Sequence, residues 1–238
     1  MKVDKIFPHI CRLVEFGDKI SKGCKTGANI SIGEGGVILT NDMRSILVLI
    51  EHDEFNEEIA FKSHLYPNPI APLDIESNGD SIDFSWREKG VEKSTNIQAV
   101  GNLYEKGKEV IEKMWNMKNN FMAPVSCFNV IDDDIHVLKV MRTEEGITFQ
   151  QIKTSADEII TNKIPLKAGG GLLSHTKEDK IKEVETMVST IEFKTLPLLT
   201  DETIINLAIP KDNQAIFGKI LMGSVIAKII VSPMKYKR

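Results

Sequence analysis

Asp132, Asp133, Asp134 and His136 put three carboxylates and an imidazole into one short stretch, the residue types that ligate metals. Consecutive residues on a turn point in divergent directions, and no second cluster stands at ligand spacing, so a solvated turn is expected. Glu51-His52-Asp53-Glu54 is read the same way. Gly169-Gly170-Gly171 lacks the lysine and serine or threonine of a phosphate-binding loop and reads as a flexible connection. Gly33, Gly35 and Gly36 lie between two strand-like segments, not at a strand-to-helix junction, so no nucleotide site is expected there. His9, His52, His64, His136 and His175 are dispersed, and no serine sits in a Gly-x-Ser-x-Gly elbow. The expectation is therefore a protein with no catalytic residues, no metal and no cofactor, and not an enzyme.

Basic residues at helical spacing are what remains. A helix is predicted over residues 4–20, its apolar side being Ile6, Phe7, Ile10, Leu13, Val14, Gly17 and Ile20. Lys5, His9, Arg12, Glu15 and Lys19 form the other side, net positive by these residues. A positive helix face either meets phosphates or is simply solvated. A second helix is predicted over residues 102–120, with Leu103, Gly107, Val110, Ile111, Met114 and Trp115 inward. Its outer face mixes Glu105, Lys108, Glu109, Glu112 and Lys113.

The elements between these helices are strands. Residues 30–50 read as a hairpin turning at 33–36, then a solid apolar strand at 46–50. Residues 59–64, 82–86, 96–100, 126–131, 134–142, 147–152, 159–166, 186–194, 202–209, 215–221 and 224–231 add further strands. Asn78-Gly79-Asp80 is a turn, and the proline-rich 65–75 admits at most one turn of helix. The order helix, hairpin, strand recurs about a hundred residues on, which suggests a duplicated α+β domain. The expected domains are 1–95, with a linker near 87–95, and 96–238. Residues 167–182 look inserted.

With 238 residues, 42% hydrophobic and 27% charged, the chain is of ordinary globular composition. Its net charge of −4 does not advertise nucleic-acid binding, yet a local basic face can coexist with an acidic exterior. No apolar run approaches the ~18–20 residues of a membrane span, and residues 1–8 lack a signal-peptide core. Cys11, Cys24 and Cys127 are widely spaced and odd in number, which points to reduced thiols in the cytoplasm.

Three segments resemble the DNA sliding clamps, the family of proliferating cell nuclear antigen and the trimeric clamps of archaea and T4-like phages. Gly36-Val-Ile-Leu-Thr-Asn-Asp42-Met-Arg44-Ser-Ile-Leu-Val-Leu-Ile50 resembles the clamp hairpin and its Asp-x-Ser-Arg turn, although Ser45 here follows Arg44. Residues 70–86 are similar to a short helix followed by a hairpin. Residues 202–234, with Met222-Gly223 and the closing Val231-Ser232-Pro233, look like the C-terminal hairpin that usually ends in Leu-Ala-Pro. Viral and archaeal clamps are the nearer pattern.

That resemblance implies a duplicated two-domain clamp fold, α+β, with antiparallel sheets outside and helices lining one face. It implies a homotrimeric ring around double-stranded DNA, gripped without regard to sequence. The partners would be a DNA polymerase and a clamp loader, with no membrane role, in the cytoplasm (that of a host, if viral) at the nucleoid. Lys5, Arg12, Lys19, Lys22, Lys25, Lys108 and Lys113 would face the DNA. Val231, Ser232, Pro233 and Met234 would form a partner-peptide pocket. The alternatives are a clamp-fold processivity factor working as monomer or dimer without a closed ring, a β-rich viral structural or interaction protein, and an unrecognised enzyme.

Overall fold

The computed structural model describes residues 6–21, 26–67, 72–132, 136–143, 146–153, 158–165 and 183–234. Expectations placed on Asp4, Lys5, Lys22, Lys25, Asp133, Asp134 and the whole of 167–182, with Gly169-Gly170-Gly171, lie outside them. By packing, the chain divides into Met1–Lys113 and Met114–Arg238.

The first unit begins with α1 (Phe7–Ile20), whose Pro8 lies in the first turn, where its missing N–H costs nothing. Ile6, Ile10, Leu13, Val14, Gly17 and Ile20 are buried as their spacing requires. Phe16 and His9 are buried as well, so the apolar side is wider than the spacing implied and His9 does not belong to the solvated face. Strands β1 (Asn29–Gly33), β2 (Gly36–Thr40), β3 (Ile46–Glu51) and β4 (Ile59–Lys62) follow, hydrogen-bonded in the order β4-β1-β2-β3. Then β5 (Leu73–Ser77), β6 (Ser81–Glu88) and β7 (Val91–Gln98) form a meander. β5 stands where at most a turn of helix was expected.

The expected linker at 87–95 is instead the β6–β7 hairpin, closed at Lys89 (φ 50°) and Gly90 (φ 81°). Two successive positive φ values match the twist of a two-residue hairpin. The charge density that suggested a linker reflects an edge strand open to water, since Val91–Ser94 are all exposed. Residues 96–100 accordingly finish this unit's last strand and do not begin the second half.

The second helix, α2 (Tyr104–Met114), is shorter than predicted. Beyond it the Asn116 carboxamide oxygen accepts from the Lys118 N–H, and Trp115 packs edge-on against Phe217 at 6.0 Å. Both fix a non-helical path. The helix lies on the β1–β2 hairpin. A Cβ on Gly33 would stand 2.1 Å from the Tyr104 ring, and one on Gly107 2.9 Å from Ile38. Asn102 donates to the Ile32 carbonyl at 2.7 Å, and Leu103 N–H donates to Ser31 Oγ at 3.0 Å.

The register pairs Ser31 with Ile38 and Gly33 with Gly36, so all four share the α2 face. Ile30, Ile32, Val37 and Leu39 point the other way, are fully buried, and take α1. Helices on both faces explain why every residue of β1 and β2 is buried.

In the second unit, β8 (Asn120–Pro124) leads into a 3₁₀ stretch at Val125–Val130, where a strand was expected. Next come β9 (Val137–Arg142), β10 (Gly146–Lys153), β11 (Glu158–Pro165) and β12 (Val184–Ser189), ordered β11-β10-β9-β12. Short α3 (Thr190–Lys194) occupies the second half of the predicted strand at 186–194. β13 (Ile204–Ala208), β14 (Ile216–Met222) and β15 (Val225–Val231) then pair in sequence, with β8 alongside β13.

The repeat is thus real, in a different register from the one the helices suggested. The order β4-β1-β2-β3 matches β12-β9-β10-β11, and the meander β5-β6-β7 matches β13-β14-β15. The counterpart of α1 is the 3₁₀ stretch at Val125–Val130, not α2. Each unit has an aromatic triad at its centre: Phe61, Tyr66 and Phe84 in the first, Phe128, Phe149 and Phe193 in the second, centroids 5.1–6.5 Å apart.

Candidate nucleic-acid interface

Four of the seven residues expected to face DNA are described: Arg12 and Lys19 on α1, Lys108 and Lys113 on α2. They do not come together. The two helices cover opposite faces of one sheet, so a single surface cannot present all four. Lys5, Lys22 and Lys25 lie outside the described residues.

On α1, Lys19 is exposed and Arg12 half-buried. Glu15 and Asp18 are exposed beside them, so the described outer charges balance. Asp18, three residues after Glu15, shares the face that helical spacing assigned to Lys19. His9 lies under this surface, its ring centroid 6.3 Å from that of His52. Its pKa is held below the ordinary value by burial first, then by His52 and Arg12. An imidazole kept neutral there adds no positive charge for a phosphate at neutral pH.

On α2, Lys108 Nζ sits 5.7 Å from the centroid of the Tyr104 ring, a cation–π arrangement. Lys113 pairs with Glu109 one turn earlier, both side chains well exposed. Such a pair adds only a few tenths of a kcal/mol, roughly 0.3–0.5, and leaves little net field. Three glutamates and three lysines leave α2 neutral.

The expected partner-peptide segment divides into a buried and an exposed part. Val231 closes β15 opposite Ile216 and is fully buried. Ser232 is half-buried, while Pro233 and Met234 are exposed. The Met234 N–H donates to the Met187 carbonyl at 2.7 Å, which holds the segment along β12.

No constellation for catalysis emerges among the described residues. Among the described residues no group of three or more His, Cys, Asp or Glu side chains could hold an ion. Cys11 is half-buried, and burial pushes its thiol up, with the Tyr66 hydroxyl nearby only partly opposing it. Burial drives Cys127 up to about 12. Thiols so raised are poor nucleophiles. Among the described residues no helix is long and apolar enough to cross a membrane.

No family model matches the sequence, and no curated protein matches it. A search of solved structures finds proliferating cell nuclear antigen from Entamoeba histolytica, with a TM-score of 0.60 and 13% identity over 96% of each chain. The chain has the sliding-clamp fold, α+β and built on antiparallel sheets.

Proposed function

We propose that this protein is a DNA sliding clamp, a processivity factor that encircles duplex DNA and tethers a polymerase and other replication proteins. The observation that carries the proposal is the repeated sheet order, β4-β1-β2-β3 and β12-β9-β10-β11, in a chain whose fold is that of the clamps. Two clamp-like domains per chain, divided at the end of α2, call for three chains to complete a ring. β7 and β11 each end a sheet with an open backbone edge, and head-to-tail pairing of such edges closes a ring when the rotation closes. Double-stranded DNA, a polymerase and a clamp loader are then the partners, and the clamp itself does no catalysis. Lys5, Arg12, Lys19, Lys22 and Lys25 would attract the phosphates, with Lys108 and Lys113 away from α1's face. Ser232, Pro233 and Met234, backed by Val231, would receive partner peptides.

A second reading has its own support. The counterpart of α1 in the second unit is a six-residue 3₁₀ stretch, and the described outer charges of α1 balance. A weak lining of this kind suits a clamp-fold factor held on DNA by its polymerase, as monomer or dimer. Light scattering separates the two. A mass of about three times 26.7 kDa supports the ring, and a strict monomer at high concentration overturns it.

A further inference from the structure

The start of α1 and the turn after β3 come together at two imidazoles. His9, in the first turn of α1, is 8% exposed, and its ring centroid lies 6.3 Å from that of His52, with the planes tilted by 42°. His9 Nδ1 is buried and has no hydrogen-bond partner among the described residues. His52 is half-buried and accepts the Glu54 N–H on its Nδ1 at 3.2 Å. The neutral His52 ring therefore carries its proton on Nε2.

The turn that presents His52 is fixed to the tip of the β1–β2 hairpin. The His52 N–H donates to the Gly35 carbonyl at 3.0 Å, and the Gly35 N–H donates to the Phe55 carbonyl at 2.6 Å. The Phe55 N–H closes the turn on the His52 carbonyl at 3.1 Å. Phe55 is fully buried and meets the His52 ring edge-on, at 6.3 Å between centroids. Residues 52–55 are thus a rigid bracket, and the His9 ring lies beside it.

Both imidazoles are built in as neutral rings. A second proton on His52 enters at Nδ1, where it turns an acceptor into a donor facing the Glu54 N–H. A charged His9 has a donor at each nitrogen, and the one at Nδ1 is buried without an acceptor. Burial acts first against the charged form of His9, and His52 and Arg12 act in the same direction. The carboxylates around the bracket do not reverse this: Glu34 at the hairpin tip and Asp53 are exposed, and Glu54 is half-buried. Lys5 lies outside the described residues. The other buried residues of α1, namely Ile10, Leu13, Val14, Phe16, Gly17 and Ile20, carry no titratable group, so the sensitivity is confined to the start of the helix.

We propose that His9 and His52 form an acid-released latch, which holds the first turn of α1 against the 52–55 turn while both rings are neutral and lets the two part locally when either ring is protonated. The rest of α1 stays on its sheet. The latch stands independently of DNA binding and of ring formation.

Hydrogen–deuterium exchange on the full chain at pH 7.5 and 5.5, corrected for the intrinsic effect of pH on exchange, tests this. In the native chain, protection of the amides of residues 9–13 and 52–55 is expected to fall by about tenfold or more at the lower pH, while that of β2 and β3 changes by less than about twofold. His9→Gln removes one titrating ring. His52→Asn removes the other and keeps an acceptor oxygen near the place of Nδ1. Each variant is expected to lose most of the pH effect at both segments. Unchanged protection of residues 9–13 in the native chain at pH 5.5 overturns the proposal. So does an equal fall in β2 and β3, which would make the event global unfolding. The same pH effect in both variants as in the native chain also overturns it. The native comparison decides alone if a variant folds poorly, which circular dichroism melts reveal.

Discussion

His9 is a buried imidazole whose folded pKa lies below its unfolded value, for reasons of burial, His52 and Arg12. The charged form is thus the one the fold rejects. Between the folded pKa and about 6.5 the unfolded chain binds more protons than the native one, so stability falls as pH drops below about 6.5. His52 lies beside it and α1 also carries Arg12, Glu15 and Asp18, so the control changes one side chain alone. Chemical denaturation of His9→Gln at pH 7.5 and 5.5 should show a smaller pH loss than the native chain. An identical loss in both would place the sensitivity elsewhere. Asp42 acts in the same direction at lower pH: hydrogen bonds from Lys62 and Thr26 hold its carboxyl below the usual carboxylate range, so its contribution is lost only in stronger acid. At the proposed DNA-facing surface, Arg12→Ala with Lys19→Ala should lower the processivity of a polymerase held by the clamp, whereas Lys108→Ala with Lys113→Ala should leave it unchanged, because α2 covers the other face of the sheet. Equal losses from both pairs would contradict that division.

α2 stays on its sheet because three glycines let it approach. Gly33 and Gly36 leave room for the Tyr104 ring, and Gly107 for Ile38. A methyl at Gly33 would overlap that ring, so Gly33→Ala should cost about 1–3 kcal/mol, as overpacking does. Tyr104→Ala should cost about 3–5 kcal/mol, the range for large aromatic truncations. The double variant should fall short of the sum, since the ring that clashes is gone; denaturant titrations of all four chains measure the coupling. Strict additivity would mean that the helix does not rest on the hairpin in solution. The same contacts show where sequence stopped being informative. The hairpin at 30–40, the strand at 46–50 and the closing hairpin at 215–231 follow from alternation and turn residues, which are local. The partner of α2 is not local. Its buried stripe of Tyr104, Gly107 and Ile111 shows that the helix packs on something without saying what, and equal spacing of two helices suggested a repeat that the sheet order places elsewhere. At the candidate interface, the pattern showed which described residues α1 turns outward, except His9, but not that α2 faces away from them.

At the scale of the assembly, the open edges of β7 and β11 are the places where copies could join. Val91 is 60% exposed and Ile159 44%, both on strands that end their sheets. Isolated edges of this kind invite pairing with other chains, and natural proteins commonly blunt them with lysine. If the edges join copies head to tail, Val91→Lys or Ile159→Lys should shift the mass from trimer toward monomer while each chain unfolds at nearly its native denaturant midpoint, because surface changes are usually within about 0.5 kcal/mol. A mass unchanged by both substitutions would remove these edges from the interface. Closure also has an electrostatic signature. In a ring of three, Arg12 and Lys19 would supply two cations per chain and about six to the duplex. With a slope near −0.9 per phosphate neutralised, a ring using all of them should lose about five units of logarithmic salt dependence when both residues become alanine. The compensating Glu15 and Asp18 reduce that number in proportion to how closely they share the phosphates. Measuring DNA affinity from 50 to 200 mM salt for native and variant chains, on circular and linear duplex, separates the possibilities. A ring should remain on circles and slide from linear ends, with a steeper slope for the native chain. A native slope equal to that of the variant would mean that α1 does not face the DNA, and the lining would have to be sought on other surfaces.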